Sequence, residues 1–171
     1  KPYLLRTKDF GQTWQSITTG IDEHHFTRVI RSDPKAKGML YAGTESGMYI
    51  SFDDGDHWQP FQMNLPIVPI TDLVVKNDNL IAATQGRSFW IVDELAQLRQ
   101  MRDAKTDRFQ FYQPADTYRM TGASYKSQEA GTNYQGGLMA FYYLPAELKK
   151  EDTLSITLLE QDGDTIVKYS T

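Results

Sequence analysis

The sequence predicts an all-β chain: small antiparallel sheets repeated at a fixed period, one short helix, and a different β pattern toward residue 171. Three observations carry this. An eight-residue box occurs twice at a spacing of about 44 residues, a length that suits a repeated four-stranded unit. Short runs rich in β-branched and aromatic residues alternate with Gly, Asp, Asn and Pro turns. After residue 137 the repeat stops and a new alternating pattern begins.

The boxes are Thr7-Lys8-Asp9-Phe10-Gly11-Gln12-Thr13-Trp14 and Ser51-Phe52-Asp53-Asp54-Gly55-Asp56-His57-Trp58, with hydroxyl, Asp, Gly and Trp at matching positions. A partial third copy follows: Ala82-Ala83-Thr84 matches Ala42-Gly43-Thr44, Phe89 matches Tyr49 and Asp93 matches Asp53, without the Gly and Trp. A period of about 40 to 45 residues is that of β-propeller blades. Strands are expected at Thr27–Arg31, Met39–Gly43, Met48–Ser51 and Trp58–Gln62, divided by Asp33-Pro34, Ser46-Gly47 and Asp54-Gly55 turns, which makes one full blade over 26–63. Residues 1–17 read as the end of a preceding blade.

A last blade is expected over 68–114. Its strands are Thr71–Lys76, Leu80–Ala83 and Ser88–Val92, joined by Asn77-Asp78-Asn79 and Gln85-Gly86 turns. A short helix near 94–101 takes the place of the box, with Asp93 as its N-cap candidate and Leu95 and Leu98 on one face. Phe109–Tyr112 reads as a late outer strand, closed by Gln113-Pro114. Residues 115–137, rich in Gly, Ser, Thr, Asn and Gln, are expected as a linker. From 138 to 171 come Leu138–Leu144, Thr153–Glu160, an Asp162-Gly163 turn and Thr165–Tyr169, the start of an Ig-like β-sandwich. A sandwich of about 100 residues and a ring of four to eight blades both need more strands, so the sequence reads as the C-terminal portion of a larger chain.

Composition narrows the function classes. The chain has 18 Lys and Arg against 22 Asp and Glu, net charge −4, and its basic residues form no stripe, so nucleic acid is not an expected partner. No apolar run approaches the roughly 18 residues of a membrane helix. Cysteine is absent, which removes thiolate metal sites and Cys nucleophiles.

The box chemistry follows from its residues. Asp accepts from backbone N–H groups, Gly takes a positive φ, and Trp packs where the next strand begins. The pair Thr7, Asp9, Gly11, Trp14 and Ser51, Asp53, Gly55, Trp58 resembles the Asp box, or BNR repeat, of sialidases, propeller xyloglucanases and the sortilin or VPS10 ectodomain. Ser32-Asp33-Pro34, Met39–Thr44, Gly47–Ser51 and Gly86–Leu95 are similar to bacterial sortilin-like proteins of the BNR-repeat "glycosyl hydrolase" type. Gly131-Thr132-Asn133 through Phe141–Leu144 resembles the entry to their β-sandwich, departing at Tyr134-Gln135, where such proteins carry prolines. In such folds the boxes hold blade edges together, away from the ligand face, which makes their residues structural.

Hairpins alternate ends, so the turns Glu45-Ser46 and Gln85–Arg87 and the connections Asp22–His25 and Asn64–Pro69 belong to the end opposite the boxes. His24, Glu45 and Arg87 are the ligand-face candidates there, and Asp22 and Glu45 the weak catalytic ones. Glycoside hydrolysis needs two carboxylates at about 5 to 9.5 Å, and a sialidase an arginine cluster that Arg28, Arg31 and Arg87 do not by themselves establish. His24-His25 lacks a third metal ligand, and Asp53–Asp56 lacks the later ligands of a calcium loop, so no metal or other cofactor is expected. Gly43–Gly47 lacks the Lys-Ser/Thr of a phosphate loop.

The resemblance implies a secreted, periplasmic or cell-surface binding module for protein or glycan, with further blades from the same or another chain as partner. A glycoside hydrolase with most catalytic residues elsewhere, and a subunit of an outer-membrane or secretion assembly, are the alternatives.

Overall fold

The computed structural model describes residues 1–102, 104, 107–117, 137–147, 149 and 151–170. It is mostly β, in several small antiparallel sheets, with one short helix. Of the expected linker, residues 118–136 lie outside the described residues, and with them Gly131-Thr132-Asn133 and Tyr134-Gln135.

The first sheet pairs β1 (Leu5–Arg6) with β2 (Gln15–Ser16). The second runs in order β3 (Thr27–Ser32), β4 (Leu40–Thr44), β5 (Gly47–Ser51), β6 (Gln59–Pro60). The third holds β7 (Ile70–Lys76), β8 (Asn79–Thr84) and β9 (Phe89–Val92). β6 is far shorter than the expected Trp58–Gln62, and its Pro60, which has no N–H to donate, sits on the sheet edge where that costs least.

The three sheets repeat in register. Leu5↔Ser16 and Arg6↔Gln15 in the first become Tyr49↔Pro60 and Ile50↔Gln59 in the second. A bulge between Thr27 and Val29 recurs between Ile70 and Asp72, and Ile30↔Ala42 recurs as Leu73↔Ala82. The turn from Thr44 to Gly47 is one residue longer from Thr84 to Ser88, yet in both the threonine hydroxyl donates to the far carbonyl, at 2.9 and 2.6 Å. That extra residue corrects the sequence match. Tyr49 faces Ala42 and Trp90 faces Ala82, so Trp90, not Phe89, is the counterpart of Tyr49.

β4 and β5 are buried on both faces because a sheet packs on each side. Met39, Tyr41, Met48 and Ile50 meet Ile70, Leu73, Leu80 and Ala82 of the third sheet. Ala42 and Tyr49, one residue out of phase, meet Leu4, Ile17 and Ile21 of the first repeat. Gly43 makes the closer contact possible, since a Cβ there would stand 2.7 Å from both Ile70 and Val29.

The helix α1 covers Leu95–Met101. Its N-cap is Glu94, in the left-handed conformation and without a side-chain cap, not Asp93 as expected. The β7–β8 turn does the capping instead: the N–H of Leu95 donates to the Asp78 carbonyl at 2.7 Å and that of Glu94 to Asn79 Oδ1 at 3.1 Å. β10 (Gln110–Tyr112), expected as a late outer strand beside β9, pairs instead with β11 (Phe141–Tyr143). The third sheet therefore has three strands among the described residues. β12 (Ser155–Leu159) and β13 (Thr165–Ser170) form a hairpin through the expected Asp162-Gly163 turn.

Candidate functional site

The two boxes build one hydrogen-bond pattern twice. In the first, Thr7 Oγ1 accepts from Gly11 N at 2.8 Å and donates to Asp9 Oδ1 at 2.9 Å, and Asp9 Oδ1 accepts from Thr13 N at 2.8 Å. In the second, Ser51 Oγ accepts from Gly55 N at 2.9 Å and donates to Asp53 Oδ1 at 2.8 Å, and Asp53 Oδ1 accepts from His57 N at 2.8 Å. The second carboxylate oxygen bonds the side chain four residues on, Thr13 Oγ1 at 2.6 Å or His57 Nδ1 at 2.7 Å. Gly11 and Gly55 take φ of 92° and 89°, the left-handed region the turn requires. These bonds hold Asp9 down to about 2, the Thr13 hydroxyl being the largest cause. At Asp53 burial pushes upward, but the His57 N–H and ring and the Ser51 hydroxyl outweigh it and leave the carboxyl below its ordinary value.

The tryptophans differ. Trp58 is 5% exposed, its Nε1–H donating to the Ile17 carbonyl at 2.8 Å, whereas Trp14 is 59% exposed. Ile17, whose carbonyl takes the Trp58 indole N–H, belongs to the repeat that precedes the Trp58 box.

Asp22, His24 and Glu45 lie on neighbouring turns, the N–H of Glu45 donating to the Phe26 carbonyl at 3.0 Å. Asp22 opens a turn: its carbonyl accepts from His25 N at 3.0 Å and its Oδ1 from His24 N at 2.8 Å, the latter being the main cause that lowers its pKa. His25 Nδ1 bonds the Tyr49 hydroxyl at 2.8 Å, and that hydroxyl also accepts from Asp22 N. Glu45 is held by the Arg28 guanidinium, which lies 5.9 Å over the Phe26 ring. His24 is exposed, and Arg87 is exposed on the β8–β9 turn. No hydrogen bond or ion pair among the described residues joins Asp22 to Glu45, or Arg87 to either. No group of three His, Asp or Glu that could hold a metal ion occurs among the described residues.

A second charged cluster, at the box end, escaped the sequence reading. Asp33, with a fully buried carboxylate, accepts from Arg99 Nε, the Tyr41 hydroxyl and the N–H groups of Lys35 and Ala36. Arg99 continues to Asp78 at 2.6 Å, which Lys35 also reaches at 2.5 Å. Burial pushes Asp33 up, but Arg99 and the other donors outweigh it and hold the carboxyl below its ordinary value. The cluster ties α1 to the β3–β4 and β7–β8 turns, and Arg99 Nη2 is buried with no hydrogen-bond partner among the described residues. Its members lie far apart in the chain with no shared motif, so no local signal marks them. Arg6 does the same on a smaller scale, reaching Asp54 and Asp56 of the next repeat's box.

No family model, no curated protein and no solved structure matches the chain. Among the described residues no helix is long and apolar enough to cross a membrane.

Proposed function

We propose that the chain is the C-terminal part of a sortilin-like Asp-box β-propeller followed by the start of an Ig-like β-sandwich, and that it acts as a secreted, periplasmic or cell-surface module binding protein or glycan. The twin boxes carry this reading: two separate stretches close the same turn with equivalent bonds, and the sheets bearing them stack at that period. The boxes use their own carboxylates and hydroxyls internally, which leaves the opposite rim to meet a ligand. That rim offers His24, Phe26 and Arg87, with Arg28–Glu45 as a fixed charge pair. Loops on a rigid β scaffold are where binding surfaces are found.

The test is a titration of the labelled chain with a panel of oligosaccharides and peptides, followed by amide NMR. The reading expects saturable shifts at residues 22–28, 45–46 and 85–87, weakened by His24→Ala and Arg87→Ala and unaffected by Lys8→Ala at the box end. Turnover of aryl glycosides that is lost in Asp22→Asn or Glu45→Gln would replace it with a hydrolase.

A further inference from the structure

The two neighbouring histidines have different surroundings. His24 is exposed, its Nε2 3.6 Å from Glu23 Oε1, whereas His25 is half-buried and turned against β5. The His25 ring stands edge-on to Tyr49, the centroids 6.0 Å apart, and its Nδ1 lies 2.8 Å from the Tyr49 hydroxyl. The same hydroxyl accepts the N–H of Asp22 at 3.3 Å. One phenol oxygen, on a residue 5% exposed, therefore holds both ends of the Asp22–His25 turn.

Counting hydrogens fixes the arrangement. A phenol hydroxyl has one hydrogen to give. The Asp22 N–H points at the oxygen, so that hydrogen goes to His25 Nδ1, which must then be bare: a neutral imidazole with its own hydrogen on Nε2. Protonation puts a hydrogen on Nδ1 as well, and two hydrogens then face each other across a 2.8 Å contact. The hydroxyl can relieve this only by turning its hydrogen away, and among the described residues it has no bonding partner besides Asp22 N and His25 Nδ1. A buried hydroxyl without an acceptor costs more than the bond had contributed, so the contact opens instead.

The charges around the ring do not reverse this. Asp22 attracts a protonated His25, but its carboxylate is exposed and already bonded to His24 N at 2.8 Å, the main cause that keeps it below its ordinary value. It stays ionised throughout the range in which histidine ordinarily titrates and gives the ring a steady pull screened by water. Glu23 lies beside His24, and Glu45 on the β4–β5 turn is held by Arg28 of β3. In the third repeat the ring in the place of Tyr49 is Trp90, whose Nε1–H donates to the Arg87 carbonyl at 2.9 Å, a bond with no titrating member.

We propose that His25 is a proton-sensitive latch: neutral, it is tied through the Tyr49 hydroxyl to β5, and protonated, it lets the Asp22–His25 turn come away from the sheet. The latch is a property of the turn and does not rest on this end of the molecule meeting a ligand.

The test is NMR of the labelled full chain, with no ligand present, from about pH 8 down to about pH 5. At the upper end the ring nitrogens are expected to show the His25 hydrogen on Nε2. As the ring protonates, the Asp22 amide is expected to shift with the same midpoint, and its hydrogen exchange, corrected for the intrinsic effect of pH, to rise about tenfold or more. Tyr49→Phe, which removes only the hydroxyl from a buried ring, is expected to leave that amide fast-exchanging across the whole range. His25→Gln is expected to abolish the step while His24 still titrates. A hydrogen on Nδ1 at the upper end, an Asp22 amide that ignores the His25 transition, or a step that survives in either variant overturns the proposal.

Discussion

The first and second boxes make the same turn and sit in different surroundings. Their hydroxyl, carboxylate and glycine bonds agree within about 0.1 Å at each main contact, yet one tryptophan is sealed and the other open. The turn is therefore local chemistry, complete within eight residues, while the burial of the tryptophan is supplied by the sheet before it. The two boxes close their hairpins with the same bonds although one tryptophan is 59% exposed and the other 5%.

The largest effect that can break this distinction is Trp58→Ala. Removing a buried indole costs about 3–5 kcal/mol, and the Ile17 carbonyl loses its donor, so chemical denaturation of this variant is expected to show a large drop in midpoint. Trp14→Ala is expected to change stability by less than about 1 kcal/mol. Equal losses at the two sites would mean that Trp14 is covered in solution.

How much of this the sequence disclosed follows the same division. The box turns and a turn at Asn77-Asp78-Asn79 are set by neighbouring residues and could be read directly, although Asn79 proves to open β8 and only Asn77 and Asp78, both in the left-handed region, form the turn. Pairings between distant residues could not be read. β10 finds its partner in β11 across residues 113–140, and the one-residue turn insertion before β9 shifted the match from Trp90 to Phe89. Arg99 and Asp33, 66 residues apart, carry no pattern that joins them. Nor did the sequence show that Arg28 occupies Glu45 or that Tyr49 supports Asp22 and His25; those partners come from adjacent strands brought together by the fold.

Arg99→Met sharpens the contrast between a surface turn and a buried tie. Removing one partner of a buried pair costs about 3–5 kcal/mol in general; here about 2–3 is expected, since Asp33 keeps the Tyr41 hydroxyl and two N–H donors. The loss should depend on pH. Asp33 and Asp78 both lie below their ordinary value in the folded chain, so their contribution is present above about pH 4 and is lost as pH falls through their lowered folded values. Denaturation midpoints of the parent and Arg99→Met are expected to converge as pH falls below about 4. A gap that stays constant to pH 2 would show that the arginine acts by packing alone.

The two box glycines offer a smaller and finer comparison. Both need a positive φ, so alanine at either is strained by about 1–2 kcal/mol. At Gly11 the added Cβ meets only Trp14, at 3.8 Å, whereas at Gly55 it comes within 2.7 Å of Ile17 Cδ1. Gly55→Ala is expected to cost more than Gly11→Ala by about 1 kcal/mol, and the Gly55 variant combined with Ile17→Val should recover part of that difference. Equal costs would mean that Ile17 moves freely, and that the first repeat is held less firmly than its buried isoleucine suggests.

The smallest effect isolates the box itself. Asp9 lies near 2 chiefly because the Thr13 hydroxyl bonds it, a bond within one turn that owes nothing to a neighbouring sheet. Thr13→Val removes that donor and leaves the Thr13 N–H in place, so the Asp9 titration followed by NMR should move up toward the ordinary carboxylate value without reaching it. Trp14→Ala, by contrast, should leave the Asp9 midpoint where it is, since the ring takes no part in the carboxylate's bonds. If the tryptophan change moved Asp9 as far as the threonine change did, turn and ring would be coupled, and the local closure inferred from the matched distances would be wrong.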